Sequence, residues 1–395
     1  MTLMLRLRNT VMPYAWGSHT AIAAMQGRAS PTPEPEAELW LGAHPAAPSQ
    51  LPDKNESLLA AVDKHPSEWL GPAVANRFGN RFPFLLKVLA AKEPLSLQAH
   101  PSLAQARSGF ADEEARGVPR SAPHRNYKDD NHKPELICVL TPFTALYGFR
   151  DPALTKSLLE SLRVPCLAPL VAQLASGEPG LRGAFEWLMG RNGAERTALV
   201  EATLHAAEES HFEDPALARS AKWAVTLGEK YPGDIGCISS LLLNCVELAP
   251  MQALYLPAGN LHAYLEGVGV EIMASSDNVL RGGLTPKHVD VPELLKVLDF
   301  RSLAPVALEA EREASGELTY RTPAPEFSLS RLPLGPVGAR RGPEILLCTA
   351  GSVHVSCGRA SVTLGSGQSA VLAASAPEYL VRGNGTLFRA QVGNP

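Results

Sequence analysis

The hydrophobic period of this chain changes twice, and that limits its possible folds more than any other feature. From Pro152 to Lys230, runs such as LTKSLLESLR, AFEWLMG, ERTALVEATLHAAEES and PALARSAKWAVTLGEKY place apolar residues at i, i+3 and i+4. That spacing predicts roughly four to six amphipathic helices. On either side the period falls towards two, the spacing of strands. After Tyr231-Pro232-Gly233-Asp234, Leu254 to Met273 reads as strands joined by glycine turns. One helix follows, with Asp290 as N-cap, Pro292 in its first turn and ELLKVLDF as its body. From about Glu317 onward, apolar and small polar residues alternate between Gly and Pro punctuation, which suits a sandwich or barrel. The simplest arrangement is a β-barrel interrupted by a helical insertion, with a second small barrel at the C-terminus.

Composition narrows the function only coarsely. At ~150 residues per domain, a length of 395 predicts two or three domains, each with a core of its own. The formal net charge is −4, from 36 basic and 40 acidic residues, which argues against an electrostatic nucleic-acid or membrane-surface binder. No apolar run reaches the ~18 residues of a membrane-spanning helix, and Arg6 and Arg8 break the N-terminal apolar stretch, unlike a signal peptide. The six cysteines show no CxxC spacing and lie mostly in apolar runs. They read as reduced, buried thiols, so a cytoplasmic location is expected.

Three segments carry polar residues where apolar ones belong. In PLSLQAHP, Ser96, Gln98 and His100 share one face of a predicted strand, although the preceding FPFLLKVLA is almost wholly apolar. A solvent-facing edge is the plain explanation; a buried polar face would need partners. In NHKPELICVL, Lys133 and Glu135 share a face while Leu136, Cys138 and Leu140 point the other way. That pair is either a simple salt bridge or part of a larger polar site. In LPAGNLHAYLEGVGVEIMASSDNVLRGGLTPKHVDVPEL, Pro257 and Gly259 make a turn, after which His262 and Tyr264 share a face. A turn at Gly267–Gly269 is expected next, with Glu271 and Met273 on the returning strand and Asp277, Arg281 and Lys287 on glycine-rich connections. A lone histidine in a strand is ordinarily a hydrogen-bonded core residue. Gln98, His100, Glu135 and His262 together form a ligand set for one divalent ion, zinc by donor type. One carboxylate with three neutral ligands leaves Zn²⁺ a net charge of about +1, and therefore electrophilic.

These residues sit in blocks that resemble the type I mannose-6-phosphate isomerase (phosphomannose isomerase) family of the cupin superfamily. FLLKVLAAKEPLSLQAHP, NYKDDNHKPEL and the LPAGNLHAYLEG block carry the likeness, with PYAWGS similar to the family's opening. The resemblance covers about residues 1–150 and 236–300. It implies a mostly β fold with an α-helical insertion, built from cupin (jelly-roll) barrels. Residues 1–151 and 235–305 would form the catalytic cupin, 152–234 the helical domain and 306–395 a C-terminal jelly roll. It assigns one zinc ion to Gln98, His100, Glu135 and His262, a catalytic role to Arg281, and ring opening to His132. Ser96, Lys87, Lys133, Tyr264, Glu271, Asp277 and Lys287 take pocket positions. The remaining histidines, His44 and His354 among them, match no ligand position.

The reaction implied is the interconversion of mannose 6-phosphate and fructose 6-phosphate through a cis-enediol. The general base is Lys133 or Glu271. The phosphate seat is drawn from Ser96, Lys87 and Lys287. For Lys87 the plain alternative is an ion-paired lysine beside an apolar strand, and for Asp277 a turn-forming aspartate. The expected partner is a small sugar phosphate, with no nucleic acid or membrane, and the expected state is a monomer. Two other classes compete: a non-haem iron oxygenase, which shares the two-His, one-carboxylate set, and a sugar-binding cupin with a relict metal. Clustered Lys133, Arg281 and Lys287 favour a phosphorylated substrate over the oxygenase, and the metal quartet kept together with Arg281 disfavours the binder.

Overall fold

The computed structural model describes residues 3–338 and 340–394. Its largest sheet has ten strands and is built from both β-rich segments that flank the helices. Strand Phe143–Phe149 leads into the helical segment and Leu243–Leu248 leads out, and the two pair antiparallel with Leu243 opposite Phe149. The insertion thus enters and leaves through neighbouring strands, so a large helical unit costs the sheet no break. Five α-helices lie between Pro152 and Lys230, as the i, i+3, i+4 spacing predicts. Asp151 and Asp214 cap two of them, each followed by a proline in the first helical turn. Asp290 caps the later helix Val291–Val297 by accepting from the Glu293 amide.

Two outer layers pack on the large sheet. Over one part of it Leu97, Ala99, Ala263, Leu265 and Leu280 pack with helical residues such as Phe185, Leu188 and Leu227. Over another part Phe84, Leu86, Val88, Leu136, Cys138 and Ile272 pack with Leu329, Ile345, Val371 and Phe388 of a seven-stranded C-terminal sheet. That sheet and a four-stranded one share a second core, with Leu346 and Leu372 from the first meeting Val353, Val355 and Val381 from the second. The C-terminal unit is therefore a two-sheet β structure. The first strand, Met4–Leu7, pairs with Ser369–Leu372 and joins this sheet, so the N-terminus stitches the unit to the rest.

One strand differs from its expectation. His262–Ala274 is a single strand of 13 residues, with no turn at Gly267–Gly269. Its first part pairs with Phe143–Phe149 and its second with Phe84–Ala91 and Glu135–Val139. The glycines serve close approach instead. Gly267 has φ +129°, and a Cβ there would lie 2.5 Å from Phe143 Cδ2; one at Gly269 would lie 2.7 Å from Ile137 Cγ1. Arg281, expected on a connection, lies in the short strand Leu280–Gly283.

Candidate metal centre and active site

With one side of these strands taken up by the two apolar layers, alternation puts their other residues together on the opposite side. Tyr147, His262, Gln98 and Arg281 form one cross-strand row, each directly opposite the next. Directly opposed residues point to the same side, so Gln98 and Arg281 lie on the face that carries His262. A second row runs Trp40, Lys87, Glu271. The two sets meet across the interior: the Tyr264 hydroxyl donates to Glu271 Oε1 at 2.9 Å.

His100, Glu135 and His262 converge at the centre, all buried, with one potential ligand atom each lying within 4.8 Å of the others. His100 Nδ1 is bonded to the Asn278 carbonyl at 2.8 Å and His262 Nδ1 to the Asn260 carbonyl at 3.0 Å. Each Nδ1 therefore carries the proton and each Nε2 keeps a lone pair facing inward. Neither Nε2 has a hydrogen-bond partner. They stand 3.4 and 3.5 Å from Glu135 Oε2. Bonds of about 2.1 Å in a tetrahedron put ligand atoms about 3.4 Å apart, so the spacing fits zinc better than direct hydrogen bonds.

The charges suit the same role. Burial first, and then the Lys133 charge, hold the His100 imidazole down to about 4, so it is neutral and able to bind a metal. Burial alone would raise the Glu135 carboxyl, but Lys133 and His100 outweigh it and hold Glu135 well below the usual carboxylate range. Glu135 divides its oxygens: Oε2 faces the two imidazoles, while Oε1 accepts from Lys133 Nζ at 2.9 Å.

The other expected residues separate into three groups. Glu271 is buried and holds two donors, Tyr264 and Lys87, the latter at 3.0 Å from Oε2. Burial raises its carboxyl, Lys87 opposes that, and the Glu135 charge adds to it. Lys87 was expected to help seat phosphate and is instead ion-paired. Its ammonium faces Glu271 and, at 3.6 Å, Glu38, because strand pairing buries it between the two carboxylates. Burial opposes its charge, yet those carboxylates raise its pKa above the ordinary value.

His132 is likewise turned away from the cluster. It alternates with Lys133 and bonds Glu326 Oε1 at 2.7 Å, near the C-terminal unit, so the ring-opening role expected of it finds no support in its contacts. Asp277 is exposed and lies 3.5 Å from His44 Nε2, while its amide donates to Asp129 Oδ2. Ser96 is half-buried just ahead of strand Leu97–Ala99.

Arg281 is half-buried, and among the described residues no carboxylate pairs with it. Burial lowers its pKa. Lys287 is lowered by burial and then by the positive charges of Arg281 and Lys128, which places these three cations near one another.

Several residues of the site escaped sequence reading. Glu38 accepts from Trp40 Nε1 at 2.6 Å and supplies the second carboxylate to Lys87. His44, matched to no ligand position, is buried edge-on against Trp40, 4.8 Å between ring centres. Asn278 is wholly buried; its side chain accepts from the Lys128 amide and donates to the Asp129 and Asn131 carbonyls. It pins the loop before Lys133 to the segment that orients His100.

Known proteins resemble this chain along its whole length. Residues 4–152 match the model of the phosphomannose isomerase type I catalytic domain. The mannose-6-phosphate isomerase of Salmonella typhimurium is 40% identical over 98% of this chain and 99% of its own length. The chain belongs to the type I phosphomannose isomerase family. The Escherichia coli mannose-6-phosphate isomerase is 38% identical over the same shares. A crystal structure of the Salmonella typhimurium enzyme, bound to substrate (f6p) and zinc, matches over the whole of both chains with a TM-score of 0.91 and 38% identity. A zinc-bound holo mannose 6-phosphate isomerase matches equally, with a TM-score of 0.91.

Proposed function

We propose that this protein interconverts D-mannose 6-phosphate and D-fructose 6-phosphate, using one zinc ion per chain. The observation that carries the proposal is the pair of buried, unpartnered Nε2 atoms held at tetrahedral spacing from one oxygen of Glu135. His100, Glu135 and His262 would hold the ion, with Gln98 as fourth ligand; its register opposite His262 supports that role. When bound, zinc supplies a fixed positive charge that polarises the substrate's oxygens.

The protein's own groups then have separable tasks. Aldose–ketose isomerisation moves a proton from C2 to C1 through a cis-enediol. We assign that transfer to Glu271: its carboxyl is raised by burial, as a base working near neutral pH needs. Tyr264 and Lys87 orient it by holding one oxygen each. Lys133 keeps its ammonium on Glu135 Oε1, which suits it to stabilise negative charge near the ion more than to take a proton. Arg281, with no carboxylate of its own among the described residues, would donate to the enediolate or to the phosphate. Lys287 and Ser96 complete the phosphate seat, and Asp277 borders it.

The same reading extends to the fold. The ten-stranded sheet, with its ligand candidates on the side away from both outer packing layers, supports a cupin barrel formed by residues 1–151 and 235–305. Residues 152–234 would be the helical domain and 306–395 the jelly roll, with Met4–Leu7 lent to the latter. Six unpaired cysteines, five of them buried, support a reducing, cytoplasmic setting.

The deciding experiment is a coupled assay for fructose 6-phosphate formed from mannose 6-phosphate, run before chelation, after it, and after zinc is restored. Activity lost and then regained supports substrate and metal together. Activity that survives complete metal removal overturns the zinc reading, and none with zinc bound overturns the substrate.

A further inference from the structure

We propose that Glu326, from the C-terminal unit, is a positioning residue for the isomerase activity proposed above, on which this role rests: it fixes His132 and so sets the direction in which the next residue, Lys133, reaches Glu135. The segment that carries both side chains needs such an anchor. Residues 131–134 belong to no helix or strand, so no ladder fixes the alternation of their side chains. One end is held at Asn131, whose carbonyl accepts from Ser276 Oγ at 3.1 Å and from Asn278 Nδ2 at 2.8 Å. The other is held at the Pro134 carbonyl, which accepts from the Ala274 amide at 3.1 Å. Between these points each side chain ends on a different carboxylate. Lys133 Nζ lies 2.9 Å from Glu135 Oε1, and His132 Nε2 lies 2.7 Å from Glu326 Oε1. Lys133 precedes a proline, which favours extended backbone, and successive side chains of extended chain point to opposite sides. Holding His132 towards the C-terminal unit therefore turns Lys133 towards the metal-ligand candidates.

Glu326 is a costly residue to keep in its place. It is 6% exposed and lies in the bend between strands Leu318–Tyr320 and Ser328–Leu332. Ala324 and Phe327, on either side of it, are buried in the core that joins the large sheet to the C-terminal one. A Cβ at Gly393 would collide with the Ala324 carbonyl, so the chain end packs closely against the bend and leaves it little room to shift. Oε2 of Glu326 is buried without a hydrogen-bond partner, and among the described residues only His132 bonds the carboxylate. Its charge reaches the large sheet: burial first, and then Glu326, push the Tyr255 hydroxyl up to about 12. Tyr255 stands directly opposite Leu136, the residue after Glu135. A buried carboxylate satisfied at one oxygen is less favourable than an apolar side chain of similar size. Packing gives no reason for an acid here, whereas the contact with His132 does.

Steady-state kinetics of the zinc-loaded full chain with mannose 6-phosphate test this role. Glu326→Leu removes the bond and the half-satisfied charge together. Its urea midpoint should equal or exceed that of wild type. Its kcat should nevertheless fall about tenfold or more, since a misplacement of about 1 Å can cost a hundredfold. KM should change by less than about twofold, because Lys133 acts on charge that develops in the transition state, and zinc content should be unchanged. Glu326→Gln, which keeps an acceptor oxygen for His132, should recover most of the lost kcat. In a Lys133→Met background, Glu326→Leu should cost nothing further, because it acts through Lys133. Unchanged kcat in Glu326→Leu, a loss that merely follows lowered stability, or a loss fully additive with Lys133→Met overturns the proposal. An inactive zinc-loaded wild type overturns the isomerase reading and this role with it, whereas an active wild type leaves only the role at stake. If Glu326→Leu fails to fold, Glu326→Ala, which admits water to His132, is measured instead with the same outcomes.

Discussion

Glu135 works as a divider, with one oxygen for the metal and the other for Lys133. Replacing it by Gln removes the anion from both contacts while nearly keeping the shape. Zinc content should fall by more than the roughly 10–100-fold cost of losing a ligand's supporting hydrogen bond. Isomerase activity should fall with it, as metal analysis and the coupled assay would show together. Lys87 gives a test with a sign. Burial raises the Glu271 carboxyl and Lys87 opposes that rise. In Lys87→Met the carboxyl moves further up, so a base that must be ionised is lost at higher pH, and the acid limb of kcat/KM moves upward. An unmoved limb would transfer the base role away from Glu271. The same change leaves Glu38 and Glu271 buried without their cation and should cost about 3–5 kcal/mol of stability. Lys87→Arg controls for that loss. Much of this detail was legible: Lys133 and Glu135 were expected on one face, and the structure joins them at 2.9 Å. Glu38 was not found, although ELWL alternates Glu38 and Trp40 against Leu39 and Leu41. Its Pro- and Ala-rich surroundings, Thr32 to Pro52, read only as strand fragments and loops, and pairing with Thr10–Met12 and Phe84–Ala91 makes Glu38–Leu41 a strand.

The strand His262–Ala274 is the element that brings the site together, because it begins with a metal-ligand candidate and carries Tyr264 and Glu271 behind it. Local sequence suggested two strands and a turn, since three residues with two glycines ordinarily mark one. What overrides that preference is non-local: Phe143 and Ile137 press where the side chains would be. No reading of the segment by itself contains those neighbours. By contrast, the helical segment was readable, because its i, i+3, i+4 pattern is local and capped by Asp–Pro pairs. The expected consequence of Gly267→Ala is large for one methyl. The Cβ would meet Phe143 Cδ2 at 2.5 Å and the Pro142 carbonyl at 2.8 Å, at a φ of +129°. Destabilisation of about 2–4 kcal/mol should appear in the denaturant midpoint, from overpacking and backbone strain together. Ala is also expected to weaken zinc binding, since the misfit bends the strand that starts at His262. A variant as stable as wild type would show that the strand can shift to accommodate it.

Across the molecule, the helical unit and the C-terminal sheet cover different parts of the central sheet on the side away from the site, and that burial leaves its other side to the polar groups. The cost is acid sensitivity in the metal-free protein. His100 is held from its ordinary 6.5 down to about 4. Between those values the unfolded chain takes up a proton that the native chain refuses, so stability falls as pH drops from 6.5 towards 4. Glu135, depressed below the usual carboxylate range, adds its loss at lower pH, where the unfolded carboxyl protonates first. Glu271 acts in the opposite sense: its raised carboxyl binds a proton in the native state before the unfolded one does, which favours the folded form on acidification. The total slope mixes these signs, so the informative quantity is a difference. Urea midpoints of chelated wild type and His100→Gln, measured from pH 7 to pH 4, should converge as the pH falls, because only wild type loses the histidine contribution. Zinc should raise the wild-type midpoint at pH 7 in a concentration-dependent way, by about 2.7 kcal/mol at a hundredfold excess over Kd, and lose that effect as protons compete for the ligands. If the two chelated proteins instead keep a constant separation across the range, His100 is not the group that ties the fold to pH, and the buried centre is stabilised by acid-insensitive packing alone.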